Sequence, residues 1–525
     1  MNAVDPDYLP ALAALHEGRP GTCHTLAGNV LERDPLDGPA QLLRAVTCHE
    51  RQAVLANALH AASCRNAPHD AESWFNYGVL LEREHQRMGA LDAYRRAILL
   101  DPLHEGALLN GTQLIRVHEF FDEALALSYR LQRMRPDCEM GYTHAAISLQ
   151  HMGRLDESDQ FFAMARERAS DPTLLDWEHH FSLLARKVFR LAWQKYETRF
   201  ACGRFNGVND MAFALPRWEG GAADHVLVYA EQGIGDQLMF ACALPDLSRR
   251  LGGKRGGRIS LAVAPPLVAL MAASFPDVQV VEIGNGQDPA ECSRVLMQAG
   301  RVVPVDRVLP LGTLMTHFRN DLQDFTGKPY LRPSPQARDY WRRHPLFAGQ
   351  RVSGKAGQRP LRVGLCWASN PAPDLFHSAR RARHKTMPLA VMAQLARLPQ
   401  VEAFAITNVA LSTFSDASAA DLAIHDLSAS LVDLDRTAGL LEHLDLLVTV
   451  DTGVAHLAGA LGVPVWVLLH TGGDARWGQW GECESYWYGA ARILWQQTAG
   501  DWEQVIARVA GDLAKLGKAR RGDGR

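Results

Sequence analysis

Leu444–Leu469, LDLLVTVDTGVAHLAGALGVPVWVLL, reads as strand, tight polar turn, short helix and second strand. Leu446–Val450 is apolar but for Thr449, as expected of a strand buried on both faces. Asp451, Thr452 and Gly453 interrupt it. Val454–Leu461 is small and helix-compatible, and Gly462 and Pro464 stop it before Val465–Leu469. A strand that ends in Asp-Thr-Gly at a helix start is a place where an α/β protein can hold a phosphate. Unpaired N–H groups and the positive end of the helix dipole both face the anion there. The expected ligand is a nucleotide. The same residues can equally form a plain βαβ turn with Asp or Thr as N-cap.

With 525 residues, the chain is too long for one ordinary core, and roughly two to four domains are expected. A formal charge of −3 gives no reason to expect nucleic acid or an anionic membrane as the main partner. No run of about 18 apolar residues appears, so no membrane span is predicted. The first twenty residues carry acids where a secretory signal would be basic. Nine scattered cysteines without a CxxC pair point to reduced thiols in a cytoplasmic protein and argue against tetrahedral zinc.

Prolines 35, 68, 102, 136 and 172 are spaced 33, 34, 34 and 36 residues apart, three of them after aspartate. Between them the apolar pattern is helical. One unit carries Trp74, Tyr77, Gly78 and Leu81, then Gly89, Ala90, Tyr94, Ala97 and Ile98. This resembles the tetratricopeptide repeat (TPR). Small residues let paired helices approach, and proline ends the second helix. The expected array spans residues 1–172, followed by a helical cap and linker over 173–215. Such an array usually presents a concave groove to a peptide or protein. The alternative is a structural or dimerising solenoid, which would make the protein a homo-oligomer.

After Ala201, strands alternate with helices. Strands are predicted at 226–230, 259–263, 278–283 and 301–305, then, after a Gly/Lys/Arg/Gln-rich linker at 345–360, at 363–367, 403–407, 446–450 and 465–469. This is the pattern of two doubly wound parallel sheets, 216–350 and 351–525.

Three motifs carry a resemblance: E-Q-G-I-G-D at 231–236, W-A-S-N-P at 367–371 and D-T-G-V-A-H-L-A-G-A-L-G at 451–462. Together they are similar to the heptosyltransferase-type GT-B glycosyltransferases. The layout as a whole resembles bacterial proteins that join TPRs to such a domain, some of which look like flagellin glycosyltransferases. Supporting residues are Pro216–Gly220 and Asp474-Ala475-Arg476-Trp477. The implied fold is an α-helical TPR solenoid followed by an α/β GT-B unit of two Rossmann-like, doubly wound domains, with 216–350 on the acceptor side and 351–525 on the nucleotide-sugar side. The implied activity is sugar transfer from a nucleotide-sugar, with no metal and no further cofactor. Ala264 and Thr407-Asn408 depart from the family pattern and leave the donor open.

Glycosyl transfer needs a base for the acceptor hydroxyl, positive groups for the leaving phosphate and a cleft that aligns the anomeric carbon. Asp236 is the candidate base, a role the resemblance implies; the alternative is an N-cap. Gly233 and Gly235 let its loop turn tightly. Glu231 is a rival carboxylate, and Gln232 can orient a substrate hydroxyl. Thr452, Gly453 and His456 are expected at the donor phosphates, although His456 can also be a buried structural histidine. Asp451 is expected to cap the helix or hold a sugar hydroxyl. The basic loop Arg380, Arg381, Arg383, His384 and Lys385 can clamp phosphate or be solvated; the resemblance favours Lys385 and places Ser369 and Asn370 at the donor. Trp477 can stack on a sugar or pack. Trp495 and Trp502 are expected to pack, and a C-terminal helix can lie back across the first half. Competing readings are transfer to a lipid or polysaccharide and a non-catalytic adaptor with a decayed transferase domain.

Overall fold

A computed structural model describes residues 6–48, 53–202, 215–252, 256–283, 305–348, 359–368, 385–413 and 419–522. The chain divides into Met1–Leu175 and Asp176–Arg525.

The first unit is a run of antiparallel helix pairs. They include Ala71–Arg83 with Arg87–Leu100, Glu105–Val117 with Phe121–Met134, and Glu139–His151 with Leu155–Arg166. The 34-residue period is written into the backbone. His85, Glu119 and Gly153 fall at the same inter-helix turn, each with positive φ (60°, 61° and 75°), and Lys187 (61°) repeats the conformation 34 residues later. The Asp-Pro pairs have a local cause. Asp34, Asp101 and Asp171 each accept an N–H two residues on, at 3.0 Å, while proline prevents the helix from continuing. Gly78 is glycine because a Cβ there would lie 2.7 Å from the Tyr94 ring.

A left-handed backbone costs a non-glycine residue about 1 kcal/mol or more. His85→Gly and Glu119→Gly are therefore expected to raise stability by about 0.5–1 kcal/mol each, less the added entropy of the unfolded chain. Urea melts would check this, and a loss of stability in both variants would contradict it.

The second unit opens with the helices completed by Thr173–Ala185 and Phe189–Tyr196, the pair expected from the sequence as a cap. Phe189, Trp193 and Tyr196 are buried in the same core as the first sheet. Trp193 Nε1 donates to the Arg319 carbonyl at 2.8 Å. That sheet is β1 (His225–Tyr229), β2 (Arg258–Val263), β3 (Gln279–Glu282) and β4 (Arg307–Pro310), parallel in the order β3-β2-β1-β4. Of the strand expected at 301–305, residues 301–304 lie outside the described residues, and β4 begins at Arg307. Asp306 fixes its start by accepting the His225 N–H at 2.9 Å, and Val308 pairs in register with Leu227.

The second sheet has six parallel strands in the order β10-β9-β8-β5-β6-β7. They are β5 (Leu361–Cys366), β6 (Val401–Ala405), β7 (Ile424–Asp426), β8 (Leu446–Val450), β9 (Val465–Leu469) and β10 (Ala491–Trp495). The edge strands β7 and β10 were not legible as strands: one is three residues long, and Arg492 breaks the apolar run of the other. An N-terminal repeat array thus precedes parallel-sheet α/β domains of the kind found in GT-B glycosyltransferases.

Among the described residues, the connections between the α/β halves include a backbone pairing and a helix packing. Tyr330 and Leu331 N–H groups both bond the Ala460 carbonyl, at 2.9 and 3.1 Å. Helix Pro335–Arg343 then packs on Leu434–Leu441, where Asp435 accepts from the Ser334 N–H at 2.7 Å. The last helix, Trp502–Gly522, does not lie back across the first half. Its stripe of Trp502, Val505, Ile506, Val509 and Leu513 covers Met392, Leu395 and Leu468 of the second, because those residues leave an apolar face that it matches.

Candidate active site

The carboxyl ends of β1 and β8 each lead into a helix, and these two helices face each other across the halves. Ile234–Phe240 follows the first and Gly453–Leu461 the second. Their contact is close because glycines meet there. A Cβ on Gly235 would lie 3.1 Å from His456 Cδ2 and 3.6 Å from Gly453 Cα. Gly233 is the N-cap, with an ordinary φ of −60°. Gly235 therefore serves close helix approach rather than the tight turn expected of it.

Asp236 stands on the first turn, three residues past the N-cap, so it is not the cap itself. Its Oδ1 accepts from Arg476 Nη1 across the crevice. Arg476 is also held by Asp474, with Nε at 2.8 Å and Nη2 at 2.5 Å. Lys385 Nζ pairs with Asp451 Oδ2 and lies 3.8 Å from Asp474 Oδ2. Asp451 Oδ1 accepts Trp477 Nε1 at 2.8 Å. The result is a chain of alternating charge, Asp236–Arg476–Asp474–Lys385–Asp451, between the two halves. Burial pushes the Asp451 carboxyl up, and the Lys385 ammonium more than offsets this and holds it below the usual carboxylate range.

Asp451 therefore neither caps the helix nor stands free; the cap position is Thr452. The Thr452 hydroxyl lies 3.1 Å from Thr449 Oγ1, turned toward the strand end. With the Ala455 N–H bonded to the Thr452 carbonyl at 3.0 Å, the helix start offers an anion the N–H groups of Gly453 and Val454, which have no carbonyl within the helix. His456 is buried, stacked on Trp477 at 4.8 Å, with Nδ1 3.0 Å from the Tyr488 hydroxyl. Burial pulls its pKa down to about 4, so the ring is neutral near pH 7.

Glu231 is removed from the crevice. Its side chain is 2% exposed and paired with the fully buried Arg199 at 3.0 Å, and it accepts the Gly312 N–H at 3.1 Å. A carboxylate fixed that way cannot reach an acceptor hydroxyl. The Gln232 amide donates to the Tyr196 hydroxyl, so it is occupied in positioning the loop on the last helix of the cap. Ser369, Asn370, Arg380, Arg381, Arg383 and His384 lie outside the described residues. Trp477 packs, as do Trp495 and Trp502.

The site residues absent from the sequence-based set are Asp474 and Arg476. They belong to the Asp-Ala-Arg-Trp motif quoted above, and nothing local says that Arg476 reaches 240 positions back in the chain.

Residues 375–484 match glycosyltransferase family 9 (heptosyltransferase). The matched stretch holds Lys385, Asp451–His456 and Asp474–Trp477, while Asp236 lies outside it. The chain is also 26% identical over 475 residues to Protein FlbA of Caulobacter vibrioides (strain ATCC 19089 / CIP 103742 / CB 15), covering 84% of this chain and 72% of that one. These two similarities support a glycosyltransferase. Among solved structures, the crystal structure of MamA is 18% identical, covering 31% of this chain and 95% of that chain with a TM-score of 0.28. The structure titled for Pseudomonas aeruginosa pilF is 15% identical, covering 38% and 91%, with a TM-score of 0.32.

A pH dependence follows from His456 and its fellow buried histidines. Burial lowers His60 to about 4 and both His144 and His180 to about 3. Each binds its proton more readily unfolded, near pH 6.5, than folded. Their contribution to stability is complete above pH 6.5 and is lost as pH falls toward 4 and then 3. The His456 share alone is on the order of 3 kcal/mol. Thermal melts from pH 7.5 to 4.5 are expected to show a steep fall, and a flat profile would refute the neutral-histidine assignment.

Proposed function

We propose that the α/β unit transfers a sugar from a nucleotide-sugar to a protein hydroxyl, and that the TPR array docks the acceptor. The observation that supports this most is the convergence, in one crevice, of the Asp236 carboxylate from the first half with the N-terminus of Gly453–Leu461, Lys385 and Arg476 from the second. In this reading Asp236 takes the proton of the acceptor hydroxyl. The hydroxyl oxygen bonds to the anomeric carbon, and the bond from that carbon to the phosphate oxygen breaks. The nucleotide leaves with the bonding electrons, and its anion is met by the helix N-terminus and the two cations. Those groups supply the positive charge without a metal or other cofactor, and the nucleotide-sugar is itself a substrate. The scattered cysteines favour a cytoplasmic setting for this reaction. Among the described residues no helix is long and apolar enough to cross a membrane.

Flagellin is the acceptor to test first, and CMP-activated nonulosonic acids belong in the donor panel. The full chain would be melted with UDP, GDP, ADP, CMP and their sugars, since a ligand bound only by the folded state raises the melting temperature. The stabilising sugar nucleotide would then be incubated with flagellin, with and without EDTA. Transfer that survives EDTA is expected. If no nucleotide shifts the melt, the reading falls.

A further inference from the structure

Arg476 stands between carboxylates of the two halves, and its planar fork is divided between them. Nε and Nη2 face Asp474, a neighbour on the same turn, in a bidentate pairing. Nη1 alone crosses to Asp236. The local pairing is the stronger anchor, since two parallel bonds fix a guanidinium in both distance and orientation. The crossing contact is single, and both its partners keep some access to solvent, 23% for the Arg476 side chain and 14% for Asp236.

Glycosyl transfer asks something of this crevice that the arrangement opposes. Asp236 must offer a carboxylate oxygen to a hydroxyl, and an incoming phosphate must find positive charge. Yet the two cations of the charge chain, Lys385 and Arg476, are bonded to three carboxylates, Asp236, Asp451 and Asp474. Of these bonds, the one from Nη1 to Asp236 can be given up without dislodging the guanidinium from its anchor.

Resting on the sugar-transfer reading, we propose that Arg476 is a positioning residue that exchanges Asp236 for a phosphate oxygen of the donor while keeping its hold on Asp474. The base is thereby released to the acceptor hydroxyl only once the donor is seated. The nucleotide and the Asp236 carboxylate then compete for one N–H, and the donor binds before the acceptor becomes reactive.

Binding separates this from a merely structural ion pair. Isothermal titration of the full chain with UDP, GDP, ADP and CMP gives the nucleotide that wild type prefers. Asp236→Asn removes the charged competitor and is expected to tighten that nucleotide by about 5–30-fold, the difference between a charged and a neutral hydrogen-bond partner. Arg476→Gln is expected to weaken it at least ~10-fold, and in that background Asp236→Asn is expected to bring no gain. Arg476→Lys retains charge without the fork and is expected to restore only part of the affinity. Asp236→Ser replaces the Asn variant if its melting is not native-like. A natively melting Asp236 variant whose affinity is unchanged or weaker overturns this inference alone. A wild type that binds none of the four overturns it together with the sugar-transfer reading.

Discussion

Asp236→Asn is expected to fold like the wild type and to turn over about 10²–10⁴-fold more slowly, the scale on which a positioned general base acts. The substitution keeps the shape of the side chain and removes its capacity to accept a proton. Folding should survive because Asp236 belongs to no buried pair that needs its charge: Arg476 keeps both contacts to Asp474. Loss of turnover with nucleotide affinity retained or improved would place Asp236 in the chemical step. Full turnover in the Asn variant would remove it from the mechanism, and Glu231, bonded to Arg199 and Gly312, stands ready as no substitute.

Two truncations are expected to behave in opposite ways. A chain beginning at residue 173 should fold and keep nucleotide affinity, while modification of a protein acceptor is lost with the repeats. A chain beginning at residue 201 should not fold. It lacks Phe189, Trp193 and Tyr196, each buried in the core of the first sheet, and loss of a large buried aromatic side chain costs about 3–5 kcal/mol. It also lacks Arg199, leaving Glu231 as a buried charge without its cation, at a further 3–5 kcal/mol or so. These losses together, on the order of 12–20 kcal/mol, reach or exceed the roughly 5–15 kcal/mol that holds a typical domain folded. Circular dichroism and nucleotide titration of the two chains read the outcome. If the shorter chain melted cooperatively and bound nucleotide, the last helical pair would be an accessory to the sheet rather than part of its core.

The repeat period was legible because it is set locally. Proline stops a helix wherever it stands, aspartate before it closes a turn with its own neighbours, and small residues admit a partner helix. Strands β5, β8 and β9 were legible for a similar reason: a strand buried on both faces is apolar along most of its length, and that shows in any single sequence. The edge strands β7 and β10 are short and carry polar residues, His425 and Asp426 in one and Arg492 in the other, so the same test passed over them. Residues 369–384, where part of the basic loop was expected to hold the donor, fall outside the described residues.

By itself the sequence determined the helical repeats, the α/β alternation and the Asp-Thr-Gly helix start, since each depends on residues a few positions apart. Only the tertiary structure decided the fates of the charged groups. Glu231 and Asp236 are near neighbours in sequence, one just before a helix and one on its first turn, and no local rule tells which of them stays free of a buried partner. One is closed off by Arg199, and the other is met across the crevice by Arg476, 240 residues away. What a carboxylate can do is set by the charges and solvent around it, and those arrive from parts of the chain that only folding brings together.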